Sequence, residues 1–434
     1  MAYPKQLIRK LASHALAKKG ARDESTDRDE PDVKLPGAGT FLWVFNWEGQ
    51  NCAHFPVPVT DLQRLRERYP VIRQKDWPER NGLVFVAVPL DGSVPIEFLE
   101  SLTDQAYTLM WNKLDESGLR LIDLTSELKQ QPYDELRIID RLIDIHDLAR
   151  HREAVHAAIR PAILLRTKES SEPELSLGIT KIGGRPDLPP EVKWPIYYDH
   201  PKLLTAPRPA TLPEESAWPL PWICKPLAFL AQINLAEVAK LGTLINWLPR
   251  EGLLSIFSGW GWVEEGDPDL MLAPDYVEQD GYTVVYHTPA NAKLKRLKTP
   301  NRVHSFTAAI AEPIPVLSLP RYLEEQVPVV LKLNDDERQR YSRMYSDFWS
   351  IQSAQCMGEY DPLHIYHHLG GYSRVSQNFP SPVIETGRMM FLQIASDRNT
   401  GMHWGDLGEL TFFADTKALA KGRFEQIWGD WQCG

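Results

Sequence analysis

The run His364-x-x-His367-His368, with His403 further on, holds the side chains of this sequence best suited to a metal, since zinc accepts three imidazole nitrogens and a water. Positions i and i+3 or i+4 share a helix face. Pro362 and the immediate Gly370-Gly371 leave little room for a helix, however, and no H-E-x-x-H general base accompanies the set. Neither a metal nor a cofactor is expected. Nucleophilic catalysis lacks its patterns too: there is no G-x-S-x-G elbow, and Cys52, Cys224, Cys356 and Cys433 stand far apart, in no recognisable nucleophile context. Phosphate loops of the G-x-x-x-x-G-K-[ST] and G-x-G-x-x-G types are absent as well.

What remains is a set of polar side chains, Gln232, His368, Gln377, Gln393 and Asp406, with Trp404 beside them. Brought together in a groove, they could bind a polar ligand or a peptide. Each also has a structural reading. Trp404-Gly405-Asp406-Leu407-Gly408 reads as a turn in which the Asp406 carboxylate accepts backbone amides while Trp404 covers the core. Gln232 and Gln393 read equally well as buried glutamines bonded to a neighbouring strand.

The elements that would position these residues repeat. Phe229-Leu230-Ala231-Gln232-Ile233 and Gly252-Leu253-Leu254-Ser255-Ile256-Phe257 return as Phe391-Leu392-Gln393-Ile394 and Gly408-Glu409-Leu410-Thr411-Phe412-Phe413, with Gly183-Gly184 and Gly370-Gly371 upstream. Each strand, turn and strand unit has an apolar face it cannot cover alone, so two copies predict a duplicated β-rich body. Strands are expected at 163–166, 175–181, 227–233, 253–257, 282–287, 329–333, 389–394 and 409–413, and helices at 235–241, 335–356 and near Thr416. Before them, 41–47 and 83–88 read as strands and 59–69 and 96–114 as helices. Ile138, Ile139, Leu142, Ile143, Leu148, Val155 and Ile159 predict one long bracing helix ended by Pro161. Its histidines 146, 151 and 156 fall roughly 140° apart from one to the next and cannot share a metal. The expected class is α+β, a duplicated, mostly antiparallel β cradle preceded by a small α+β domain. Its boundaries are 1–39 (a basic amphipathic helix and charged linker), 40–133, 134–160 (the connecting helix) and 161–434.

Two resemblances add to this. Gly183-Gly184-Arg185-Pro186-Asp187-Leu188-Pro189, Trp194-Pro195, Pro226 to Asn234, His368-Leu369-Gly370-Gly371-Tyr372 with Gln377, Leu392-Gln393-Ile394 with Asp397, and Trp404 to Phe413 resemble, in order, the motifs of the YwqG-like family. That resemblance implies a cradle-like, mostly β fold and no established reaction, substrate or catalytic residue. YwqG-like proteins are similar to neighbours of bacterial toxin systems, which implies an immunity protein. Val94 to Leu99 with Leu102 to Leu109 resembles the end of an MmcQ/YjbR-like domain.

Composition narrows the partners. At 434 residues, 43% hydrophobic and 24% charged, the chain affords two or three domains of an ordinary soluble kind. No apolar run is long enough for a membrane span. A formal net charge of -10 repels nucleic acid and attracts a basic protein. Dispersed cysteines and the missing secretory signal point to free thiols in a reducing cytosol. Lys5, Arg9, Lys10, Lys18 and Lys19, with Leu7, Ile8, Leu11, Ala15 and Leu16 at helical spacing, make a basic amphipathic helix. It suits docking on the body or a partner, an organelle presequence or a membrane surface, and the charged stretch 21–32 behind it reads as a flexible tether. The function expected is a non-enzymatic cytoplasmic protein-binding module, sharpest as an immunity protein masking a basic toxin domain. The alternative is an enzyme or small-ligand receptor that uses the polar groove.

Overall fold

The computed structural model describes every residue except 1, 24, 26–29, 76, 78–81, 129–131, 197–225, 243–244, 260–282, 302, 304, 322–332, 358–366, 374–387, 406–407, 425–426 and 433–434. The chain is α+β, with two large antiparallel sheets. It divides into two units, Met1–Arg152 with Leu333–His364, and Glu153–Lys332 with Ile365–Gly434.

In the first unit, α1 (Ala2–Leu16) places Leu7, Ile8, Leu11 and Ala15 in the core, so the basic helix docks on the body. The expected tether behind it carries β1 (Arg22–Asp23) and leads into β2 (Asp32–Leu35), because Asp23 accepts the amides of Ser25 and Asp32 and holds the segment in the ladder. There follow β3 (Gly39–Trp47), β4 (Gln50–Pro58), α2 (Leu62–Arg68), β5 (Arg73–Gln74) and β6 (Leu83–Pro89), in the sheet order β1-β2-β3-β4-β6-β5. Successive strand residues alternate faces. Leu42, Val44, Ala53, Phe55, Val57, Val84, Val86 and Val88 point inward, where α1 and α3 (Ile96–Trp111) cover them, while Trp43, Phe45 and Trp47 take the other face.

After α4 (Glu116–Leu128), the single long helix expected over 134–160 is broken into α5 (Glu135–Ile145), a 3-10 turn and α6 (Arg152–Ala158). Asp147, at φ 53°, ends α5 in a Schellman arrangement. The amide of Leu148 donates to the Ile143 carbonyl at 2.9 Å and that of Asp147 to Asp144 at 3.3 Å. Apolar periodicity continues through the break, which is why it reads as one helix.

The second unit is built on β7 (Arg160–Glu169), β8 (Lys181–Ile182), β9 (Asp187–Leu188), β10 (Ala228–Asn234), α7 (Leu235–Ala239), β11 (Leu253–Ser258), β12 (Thr283–Thr288), β13 (Lys295–Arg296) and β14 (Ala309–Ser318). The chain then contributes α8 (Asp335–Met357) to the first unit and returns for β15 (His368–Gly370), β16 (Met389–Ala395), β17 (Glu409–Ala414), α9 (Thr416–Leu419) and β18 (Trp428–Gln432). Ten strands form one sheet in the order β12-β11-β10-β8-β14-β7-β15-β16-β17-β18, and β13 pairs with β9 separately. The central pair runs in register from Arg160 opposite Ser318 to Glu169 opposite Ala309, with Arg166 facing Glu312 at 2.6 Å. The order reads alike from either edge: β8 adds to β14 and β15 to β7, and a register shift occurs at Phe229/Ala231 in one half and Met390/Leu392 in the other. Ile182, Leu230, Ile256, Leu369, Phe391 and Phe412 bury their side chains in a common core.

Two sequence expectations differ here. Of the strand expected at 175–181, only Lys181 lies in one, and the strand expected at 329–333 falls largely outside the described residues. The long β14 escaped notice because it contains Pro313 and Pro315, which argue against a central strand. Both share parity with Ala311, whose amide turns away from β7 to the Thr180 carbonyl at 3.1 Å, and β8 pairs no further than Ile310. A missing N–H on that side therefore breaks no ladder bond.

Candidate functional site

Directly paired residues of an antiparallel ladder share a face. Lys181, Gln232, Ser255 and Tyr286 consequently form one polar row across β8, β10, β11 and β12, and His368, Gln393, Thr411 and Asp430 form its counterpart across β15, β16, β17 and β18. His368 and Gln393 are thus brought together. Gln232 is not with them: five ladder steps separate its strand from that of Gln393, about 24 Å along the sheet at roughly 4.8 Å a step. Gln377 and Asp406 lie outside the described residues.

The row of Gln232 ends in a closed ionic network. Gln232, wholly buried, donates from Nε2 to the Ile179 carbonyl and to Asp187 Oδ2, each at 2.8 Å, and its Oε1 accepts the Asp187 amide at 3.0 Å. Arg296 Nε meets Asp187 Oδ1 at 2.8 Å and Glu172 Oε1 at 3.2 Å. Lys181, also without exposed surface, donates to Glu172 Oε1 at 3.1 Å and to the Arg185 carbonyl at 2.6 Å. Burial pulls the Lys181 ammonium below its usual pKa against the attraction of Asp187 and Glu172. For Asp187 burial opposes ionisation, but Arg296, Lys181, Gln232 and the Gly178 amide outweigh it and hold the carboxyl below the usual range. Sequence reasoning missed Lys181, Glu172, Asp187 and Arg296. The signal was the acid of Gly183-Gly184-Arg185-Pro186-Asp187 so close behind a lysine in an apolar run.

In the other half, His367 and Asp397 are both fully buried and bond through Nε2 and Oδ2 at 3.0 Å. Burial again opposes the charge on Asp397, and His367, Thr167 and the Asn399 amide overcome it, leaving its pKa lowered. His368 Nδ1 meets the Gly370 carbonyl at 3.1 Å and the residue is 3% exposed. His403 is exposed, and His364 lies outside the described residues. Among the described residues no three His, Cys, Asp or Glu side chains converge as metal ligands. Trp404 is buried edge-on against Phe306 at 5.6 Å. Ser396 Oγ accepts the Trp404 amide at 2.9 Å and donates to the Gly408 carbonyl at 2.9 Å.

The first unit holds a different cluster. Lys75 Nζ lies 4.0 Å from the ring centroid of Phe45, 4.2 Å from Trp77, 5.4 Å from Trp47 and 5.9 Å from Trp43, and the residue is 8% exposed. These are cation–π distances. His54 stacks on Phe45 at 4.0 Å; burial first and the Lys75 charge second push its pKa down to about 4, so the imidazole is neutral. Trp77 and Phe85, in edge contact at 5.2 Å, also wall a cavity of about 530 Å³ whose lining includes Thr40, Pro56, Met110 and Lys113.

Residues 180–433 match the family described as a domain of unknown function, DUF1963. No curated protein matches the chain.

Proposed function

The chain belongs to the DUF1963 family, and from that premise we propose that it is a non-enzymatic protein-binding module of the cytoplasm, an immunity-type protein that masks a basic toxin domain. One observation carries the reading. The described members of the sequence-derived polar set, Gln232, His368, Gln393 and Trp404, are 0%, 3%, 1% and 0% exposed, so they serve the frame and leave recognition to the outer surface. The alternative, an enzyme or receptor acting through a polar groove, needs these side chains in contact with solvent. A formal charge of -10 favours a basic partner, whose approach complementary fields accelerate. In its finer form the proposal makes the ten-stranded sheet an internal duplication of YwqG-like type, each copy lending its short glycine-ended strand to the long strand of the other. Supporting it are the mirrored strand order and the register shifts at equivalent places.

Affinity capture with the tagged full chain from its own cells tests the proposal. The expected result is one stoichiometric partner with a basic domain, released as ionic strength rises, whose toxicity on expression is relieved by the chain. Recovery of no partner, or of one held equally at high salt and harmless to cells, would overturn it.

A further inference from the structure

The cavity of the first unit stands apart from that reading and from the DUF1963 residues. At about 530 Å³ it falls within the usual range of small-molecule sites, and Pro56, Phe85, Met110 and Trp77 give it apolar walls. Trp77 leaves 37% of its surface exposed. An aromatic body laid against it would remove that surface from water. Among the described residues that line the cavity, the charged one is a cation. Lys113 lines it, exposed, and Lys75 is packed against Trp77 and Phe45; among the described residues neither makes an ion pair. Burial lowers the Lys75 pKa, against the weaker attraction of Cys52.

Each residue alone has a structural explanation. Lys113 follows the carboxyl end of α3, where a cation complements the helix dipole, and the rings shelter the Lys75 stem. Neither explains why an apolar hollow stands open beside Lys113 and against the ring that Lys75 packs on. We infer that the cavity binds a small molecule with a flat apolar body and a single carboxylate, the body against Trp77 and Phe85 and the carboxylate at Lys113. A cationic ligand of the same shape is disfavoured, because the rings that would cage it already hold Lys75.

Calorimetric titration of the full chain with naphthalene-2-carboxylate and with 2-naphthylmethylammonium separates these cases. The carboxylate is expected to bind one to one and the ammonium far more weakly. Lys113→Gln, an exposed change that leaves the fold intact, should weaken the carboxylate about fivefold at low salt, with the loss shrinking at high salt. Trp77→Ala should abolish binding. Absence of binding by the carboxylate, equal binding of the two probes, or carboxylate binding that neither variant alters would overturn the inference.

Discussion

Lys181 has no exposed surface, so its ammonium persists only through Glu172, Asp187 and the Arg185 carbonyl. Removing one member of a buried ionic set costs roughly 3–5 kcal/mol, because the partners stay buried and uncompensated. Lys181→Met, which keeps most of the volume, should lower unfolding stability by about that amount in urea titrations; a loss under about 1 kcal/mol would show that Arg296 alone neutralises the acids. Asp430 offers a second test. Burial raises its pKa to about 6, against the hydrogen bond from Gln432. Between an unfolded pKa near 3.9 and that value the folded chain holds the proton more tightly, so this group's contribution to stability falls as pH rises through about 4 to 6. Above that window the penalty is about 2–3 kcal/mol. Asp430→Asn should therefore raise the melting temperature at pH 8 and change it little at pH 4; an equal shift at both would refute the assignment. At this scale the sequence was half legible. Gln232 and Gln393 stood out as strand glutamines, and a structural role was among their readings. The partners of Gln232 were not legible, since Asp187 reaches it, and Arg296 reaches Asp187, from short strands far apart in the chain.

Elements meet at glycines where backbone crowding leaves no alternative. Gly183, at φ 69°, would carry a Cβ 2.2 Å from the Thr307 carbonyl oxygen, and Gly371, at φ 81°, one 2.7 Å from Ser318 Cβ. Gly401 has the same left-handed backbone, φ 72°, and open space around it. Alanine at Gly401 should cost about 1 kcal/mol from backbone conformation alone. At Gly183 the collision adds to that and the loss should exceed about 3 kcal/mol, which thermal unfolding of the two variants compares directly. Similar losses at both would mean that the approach of Thr307 is not fixed. Both Gly-Gly pairs were legible as tight turns because glycine adopts two such positions in succession at no steric cost. Strands β10, β11, β16 and β17 were legible through their apolar runs, whereas β14 was hidden by prolines and the end of α5 by unbroken periodicity.

Over the whole molecule, sequence order and spatial grouping part company at α8. A contiguous reading assigns 161–434 to one domain, yet α8 buries Tyr341, Met344, Phe348 and Ile351, packs on α5, and joins the first unit through His146 to Asp347 at 2.8 Å and His151 to Glu337 at 3.1 Å. Contacts between residues some two hundred positions apart leave no local trace, although the histidines at 146 and 151 were visible as packing or surface groups. A fragment cut at residue 153 and running to 434 would keep α8 and lose α5, exposing an apolar helix face that promotes association. Such a fragment should elute as aggregates and bind an environment-sensitive dye. Replacing 333–364 with a flexible glycine and serine linker should give a monomer with the same far-ultraviolet β signal, because the strand pairings of the second unit do not use that segment. If the linker version aggregates while the longer fragment stays monomeric, α8 is needed by the ten-stranded sheet itself, and the division into two units would have to be redrawn.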